Sequence, residues 1–189
     1  MYDRRRYEIE LILQKKIIYL ERWSNFTAQD RVRAKLCAHL ISMTVQLKHL
    51  SIAKFQWLLY ITENTFDDLK ENALSTVRHA EFGIPSCNFA ANESAHIGKR
   101  LIPFLSTYMS HLQTLRLWRP DDFPWTSKQH AIVFQDDLSQ LIKQLKHFVF
   151  LDIYGLISFK RVKSYRLMVQ TRFPNSRSDV QISRFRLWV

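Results

Sequence analysis

The chain has 189 residues, enough for a domain with a sizeable core, and its 47% hydrophobic and 24% charged residues are those of a globular protein. Its formal net charge of +11 draws it toward acidic proteins, nucleic acid or anionic surfaces, yet Lys and Arg are dispersed rather than gathered into one tract. No apolar run reaches the ~18 residues of a membrane span, the start Met1-Tyr2-Asp3-Arg4 is not a secretory signal, and two widely spaced cysteines, Cys37 and Cys87, argue against a disulfide framework or zinc site.

In chain order, residues 1–30 come first, with Ile9, Ile12, Leu13, Ile17 and Leu20 at helical spacing. They are expected to form a helical or strand–helix cap, and residues 31–189 the body of the fold. Within the body the frame L-x-x-L-x-L occurs five times: Leu47, Leu50, Ile52; Val77, Ala80, Phe82; Leu112, Leu115, Leu117; Phe148, Leu151, Ile153; and Ile182, Phe185, Leu187. The middle residues fall at 50, 80, 115, 151 and 185, so the gaps are 30, 35, 36 and 34 residues. Repeats of that period are the mark of stacked supersecondary units.

The last two apolar residues of each frame lie two apart, so they share one face of a strand. Each frame follows a stretch of helical periodicity, at 32–41, 65–77, 97–109, 132–145 and 161–169. Between units the chain turns, at Pro85, Cys87 and Asn88, at Pro120 to Pro124, at Gly155 and at Phe173-Pro174-Asn175-Ser176. Pro103 is expected near a helix start. The fold predicted is α/β: a short leucine-rich-repeat-like solenoid of about five units, with parallel strands on one face and helices on the other. The last strand, Ile182 to Trp188, would then leave an unpaired sheet edge.

Phrases such as Leu112-Gln113-Thr114-Leu115-Arg116-Leu117-Trp118 and Ser183-Arg184-Phe185-Arg186-Leu187-Trp188 resemble the repeat region of F-box-type substrate adaptors, over about residues 31–189. The resemblance implies a binding module of the ubiquitin pathway that captures a protein substrate on its concave face, and the cysteine usage and the start of the chain lead to the expectation of an intracellular protein, cytoplasmic or nuclear. The F-box itself, a Leu-Pro-rich helical segment, is not visible. The Asn or Cys that usually follows the strand of a leucine-rich repeat is replaced by Ala53, Gly83, Trp118, Tyr154 and Trp188.

Residues between and after each apolar pair should face solvent on the strand side: Ser51 and Ala53, Glu81 and Gly83, Arg116 and Trp118, Asp152 and Tyr154, Arg186 and Trp188. Trp, Tyr and Arg dominate interface hot spots, so Glu81, Arg116, Trp118, Asp152, Tyr154, Arg186 and Trp188 are the candidate partner-binding set. His49, His79, His111 and His147 recur along the units, but strand spacing sets them too far apart to converge on one metal ion. Asp67-Asp68, Asp121-Asp122 and Asp136-Asp137 read as helix-start or turn carboxylates. No nucleophile elbow, P-loop, dinucleotide fingerprint or zinc-protease helix is present, so no catalytic, cofactor or metal residue is assigned. The alternative reading is a basic nucleic-acid-binding protein, resting on the charge and the interleaved aromatics.

Overall fold

Alternating helical and strand periodicity produces a sheet layered on one side by helices. The structure, a computed structural model, describes residues 28–43, 46–52, 55–64, 73–84, 91–122 and 128–189. Along the chain lie α1 (Ala28–Met43), β1 (His49–Ile52), α2 (Phe55–Asn64), β2 (His79–Gly83), α3 (Ala91–Tyr108) and β3 (Thr114–Asp122). They are followed by α4 (Lys128–Gln144), β4 (Phe150–Leu156), α5 (Phe159–Arg172), β5 (Arg177–Gln181) and β6 (Arg184–Trp188). Most of the expected cap at 1–30, the 65–72 stretch, Ala53, and the turn residues Pro85, Cys87, Asn88 and Pro124 lie outside the described residues.

The six strands form one mixed sheet in the order β1-β2-β3-β4-β6-β5. β1 to β4 are parallel and spatially consecutive, each joined to the next through a helix. The apolar frames align across them. Leu50, Ala80, Leu115 and Leu151 pair laterally, as do Ile52, Phe82, Leu117 and Ile153. All eight are buried in one core with the apolar sides of the helices. Phe55 of α2 lies 5.4 Å from both Phe82 and Phe104 of α3, and Phe134 of α4 lies 5.2 Å from Phe185. Each fully buried Leu or Phe contributes on the order of 2–3 kcal/mol over exposure.

The first residue of the frame closes a turn that recurs from unit to unit. The N–H groups of Val77, Leu112 and Phe148 donate to the carbonyls of Leu74, Met109 and Leu145, at 3.1, 2.9 and 3.0 Å. Each new strand then starts in the same way: the carbonyls of Lys48, Arg78 and Gln113 each accept two N–H groups from the following unit. Side chains join neighbouring turns as well, Thr76 Oγ1 donating to the Leu47 carbonyl at 3.0 Å and His111 Nδ1 lying 3.0 Å from the Ser75 carbonyl.

The fifth unit departs from expectation. Residues 182–188 are not one parallel strand: Ile182 and Ser183 form a turn, and β6 runs antiparallel to β4. The strand parallel to β4 is β5, which lies one place further out, and β6 folds back into the gap. The expected open edge at 182–188 is therefore paired on both sides, and β5 takes the margin. Arg166 of α5 covers part of that margin, its Nε and Nη2 donating to the Val180 carbonyl at 3.2 and 2.7 Å.

Other expectations also shift. Pro103 lies inside α3, not near its start. Asp121 and Asp122 end β3, with an irregularity in its pairing with β4 between Trp118 and Asp122, rather than occupying a turn. Asp136 and Asp137 lie in the middle of α4. Residues 73–76 form a turn, so the helix expected over 65–77 does not reach β2.

Candidate functional site

The sheet face opposite the helices carries three lateral rows, fixed by strand register. The middle row runs Ser51, Glu81, Arg116, Asp152, Arg186 and Asp179. From Glu81 onward the charges alternate in sign, the arrangement in which directly opposite residues attract. One flanking row reads His49, His79, Thr114, Phe150, Trp188 and Arg177, and the other Gly83, Trp118, Tyr154, Arg184 and Gln181.

Register brings most of the expected set together and separates one member. Glu81, Arg116, Asp152 and Arg186 are lateral neighbours in the middle row, and Trp118 pairs with Tyr154. Trp188 does not join them. Because β6 runs antiparallel, Trp188 pairs with Phe150, and the place beside Tyr154 belongs to Arg184. The indole of Trp188 lies 5.0 Å from the Phe150 ring, and the Arg177 guanidinium 5.5 Å above it.

Asp152 corrects the expectation of a solvent-facing carboxylate: it is 0% exposed. Arg184 explains how a buried charge is tolerated, since its Nε and Nη2 donate to Oδ1 and Oδ2 at 2.8 and 2.7 Å. Arg116 Nε stands 3.8 Å from the same carboxylate. The hydrogen bond to Asp152 holds the Arg184 pKa above its ordinary value. The same guanidinium lies 4.2 Å over the Tyr154 ring. Beside it, Arg186 Nη2 meets Asp179 at 3.0 Å, and Gln181 donates to that carboxylate from the other side.

Three side chains of the expected set remain open to solvent. Trp118 is 39% and Tyr154 38% exposed, and the Arg116 side chain is 52% exposed. Glu81, Arg186 and Trp188 are half-buried, and Gly83 is buried. Arg184, Arg177, Asp179 and Phe150 belong to the same face and were not in the expected set. Arg184 was signalled by the alternation of Arg184, Phe185, Arg186 and Leu187, read without the strand reversal.

The histidines stack in pairs. The rings of His49 and His79 are 4.4 Å apart at 16°, and those of His111 and His147 5.4 Å apart at 7°. Burial, then the neighbouring charges of His49, Arg116 and Arg78, push the His79 pKa below its ordinary value. Among the described residues no group of three or more His, Cys, Asp or Glu could hold a metal ion, and no helix is long and apolar enough to cross a membrane. Cys37 is partly buried, and burial raises its thiol to about 11, far from a reactive thiolate.

No protein-family model, no curated protein and no solved structure matches this chain.

Proposed function

We propose that this chain is a protein-interaction module, a leucine-rich-repeat-like solenoid that captures a protein partner on the sheet face opposite its helices. The observation that carries the reading is the Trp118–Tyr154 pair, two exposed aromatics held side by side on the sheet, with Arg184 beside Tyr154 and Arg116 two residues before Trp118 on β3. Aromatic and Arg side chains gain most when a partner removes them from water, and a rigid sheet leaves little conformational entropy to lose. The repeated turns and bifurcated strand starts support a repeat of units from β1 to β4. Resemblance to the repeat region of F-box-type adaptors supplies the role: substrate recognition for a ubiquitin ligase.

The same face weighs against nucleic acid as its ligand. Its four arginines, Arg116, Arg177, Arg184 and Arg186, share it with Glu81, Asp152 and Asp179. A phosphate backbone would meet nearly balanced charge there rather than a basic groove.

Affinity capture from nuclease-treated lysate tests the reading, with wild type set against Arg116→Ala/Trp118→Ala. Neither side chain belongs to the buried core, so the double variant is expected to fold, which its circular dichroism checks. Loss of two hot-spot residues weakens a partner by about a hundredfold or more, so a specific protein set disappears from the variant. Ubiquitin-ligase subunits within that set are expected of the adaptor role. Identical sets from both proteins would sink the face as the binding surface.

A further inference from the structure

The open sheet face nearly balances its arginines with carboxylates, whereas a run of cations without carboxylates lies on the helix side, around α5. From Gly155 to Ser176 the chain has five Lys or Arg and no Asp or Glu. α5 lies in this stretch, with Tyr165 and Val169 buried against the core. Its outward stripe holds Phe159, Lys163 and Leu167 at successive four-residue steps, with Lys160 alongside. These apolar side chains are not packed away: Phe159 is 79% and Leu167 62% exposed.

The β5–β6 turn adds a third apolar group. Gly155 and Ile157 donate N–H groups to the carbonyls of Ser183 and Ile182, which fixes the turn beside the start of α5. Ile182, 52% exposed, lines one shallow cleft with Phe159 and Val162. Arg166 reaches from the same cleft to the Val180 carbonyl. The corner therefore presents projecting apolar side chains rimmed by cations, with no carboxylate in residues 155–176 or 180–183, which build it.

We infer that this corner is a docking surface for an anionic lipid bilayer, with Phe159, Leu167 and Ile182 entering the interface and Lys160 and Lys163 meeting acidic headgroups. Charge complementarity selects an anionic occupant, and the apolar groups choose among anionic ones. Leu167 and Ile182 are aliphatic and gain little by stacking on bases. Leu167 projects from the outer face of α5 and Ile182 from the adjoining turn, and the cleft that Ile182 lines is shallow rather than a deep groove that a peptide would fill. In a bilayer interface such side chains are buried while the ammonium groups stay at headgroup level. α5 lies on the opposite side of the sheet from Trp118 and Tyr154, so a docked chain keeps that face free. The inference does not depend on what that face binds.

Co-sedimentation of the full chain with sucrose-loaded vesicles tests it. The vesicles are phosphatidylcholine alone, or phosphatidylcholine with about 30% phosphatidylserine. Wild type sediments with the anionic vesicles and not with the neutral ones. Each removed cation weakens partitioning about fivefold, so Lys160→Gln/Lys163→Gln binds roughly 25-fold less. Phe159→Ala weakens binding at unchanged charge, whereas Arg116→Ala/Trp118→Ala binds as wild type does. Equal binding to both vesicle types, no binding to either, or an unaffected Phe159→Ala variant would overturn the proposal. A single-stranded oligonucleotide bound equally by wild type and Phe159→Ala, and displacing the vesicles, would overturn it in favour of nucleic acid.

Discussion

Asp152 is a carboxylate without access to solvent, and everything around it follows from that. A buried anion costs several kcal/mol unless it is paired and hydrogen-bonded, and Arg184 supplies two charge-assisted bonds in a fork. The two partners are not equivalent, because the Arg184 side chain is 28% exposed and Asp152 is not exposed at all. Removing Arg184 strands a buried charge whose remaining ion pair, with Arg116, is long at 3.8 Å, while removing Asp152 frees a guanidinium that water can reach. Arg184→Ala is therefore expected to cost about 3–5 kcal/mol and Asp152→Asn distinctly less, read from urea denaturation midpoints. Equal costs, or the reverse order, would contradict this account of the pair.

His79 adds a pH dependence at the same scale. Its folded pKa lies below the ordinary 6.5, through burial first and then the charges of His49, Arg116 and Arg78. The unfolded chain thus takes up a proton where the folded chain does not. This contribution to stability is complete at neutral pH and is lost as the pH falls below about 6.5 toward the folded value. His79→Gln should lose less stability than wild type between about pH 7 and pH 5.5; an unchanged slope would show that His79 does not titrate this way. At this scale, alternation placed Glu81, Arg116, Trp118 and Tyr154 on one face. It could not reveal that Asp152 is buried, because that depends on an arginine from a strand whose direction periodicity does not carry.

The repeated element is a strand preceded by a closed turn, and the frame L-x-x-L-x-L encodes both. Its first residue ends the turn, and its other two line the core side of the strand. This is why the strands of four units were legible and their apolar residues pair in register. The helix ahead of β2 was placed too late, since apolar spacing continues into the turn at 73–76.

The β5–β6 hairpin was not legible, for two physical reasons. β5 reads Arg177-Ser178-Asp179-Val180-Gln181, with Val180 as its one apolar residue. The turn Ile182-Ser183 lacks the Asn-Gly or Asp-Gly that usually marks a two-residue loop. It is held from outside instead, through the N–H groups of Gly155 and Ile157. Arg166 performs a similar service for β5 through the Val180 carbonyl. Arg166→Ala is expected to destabilise the chain by about 1–2 kcal/mol and to raise amide exchange in β5 before β1 to β4. Uniform exchange across the sheet would mean that Arg166 does not secure this margin.

Across the molecule, the charges of the described residues on the sheet face and around α5 separate into two sides. The sheet face nearly balances its arginines with carboxylates and keeps exposed aromatics. The helix side carries a run of cations without carboxylates around α5. The net charge of +11 gave no hint of this division, since composition has no direction. An α/β fold with a parallel sheet from β1 to β4 was legible from the repeat, whereas the antiparallel margin that makes the sheet mixed was not.

Site-specific photocrosslinking tests the central claim most directly. A benzophenone amino acid is placed in turn at Trp118, at Tyr154 and, on the helix side, at Leu167, and the full chain is irradiated in nuclease-treated lysate. Positions 118 and 154 are expected to crosslink the same protein, and position 167 is not. Crosslinks to that protein from 167 alone, or the absence of any common protein at 118 and 154, would contradict partner capture on the sheet face.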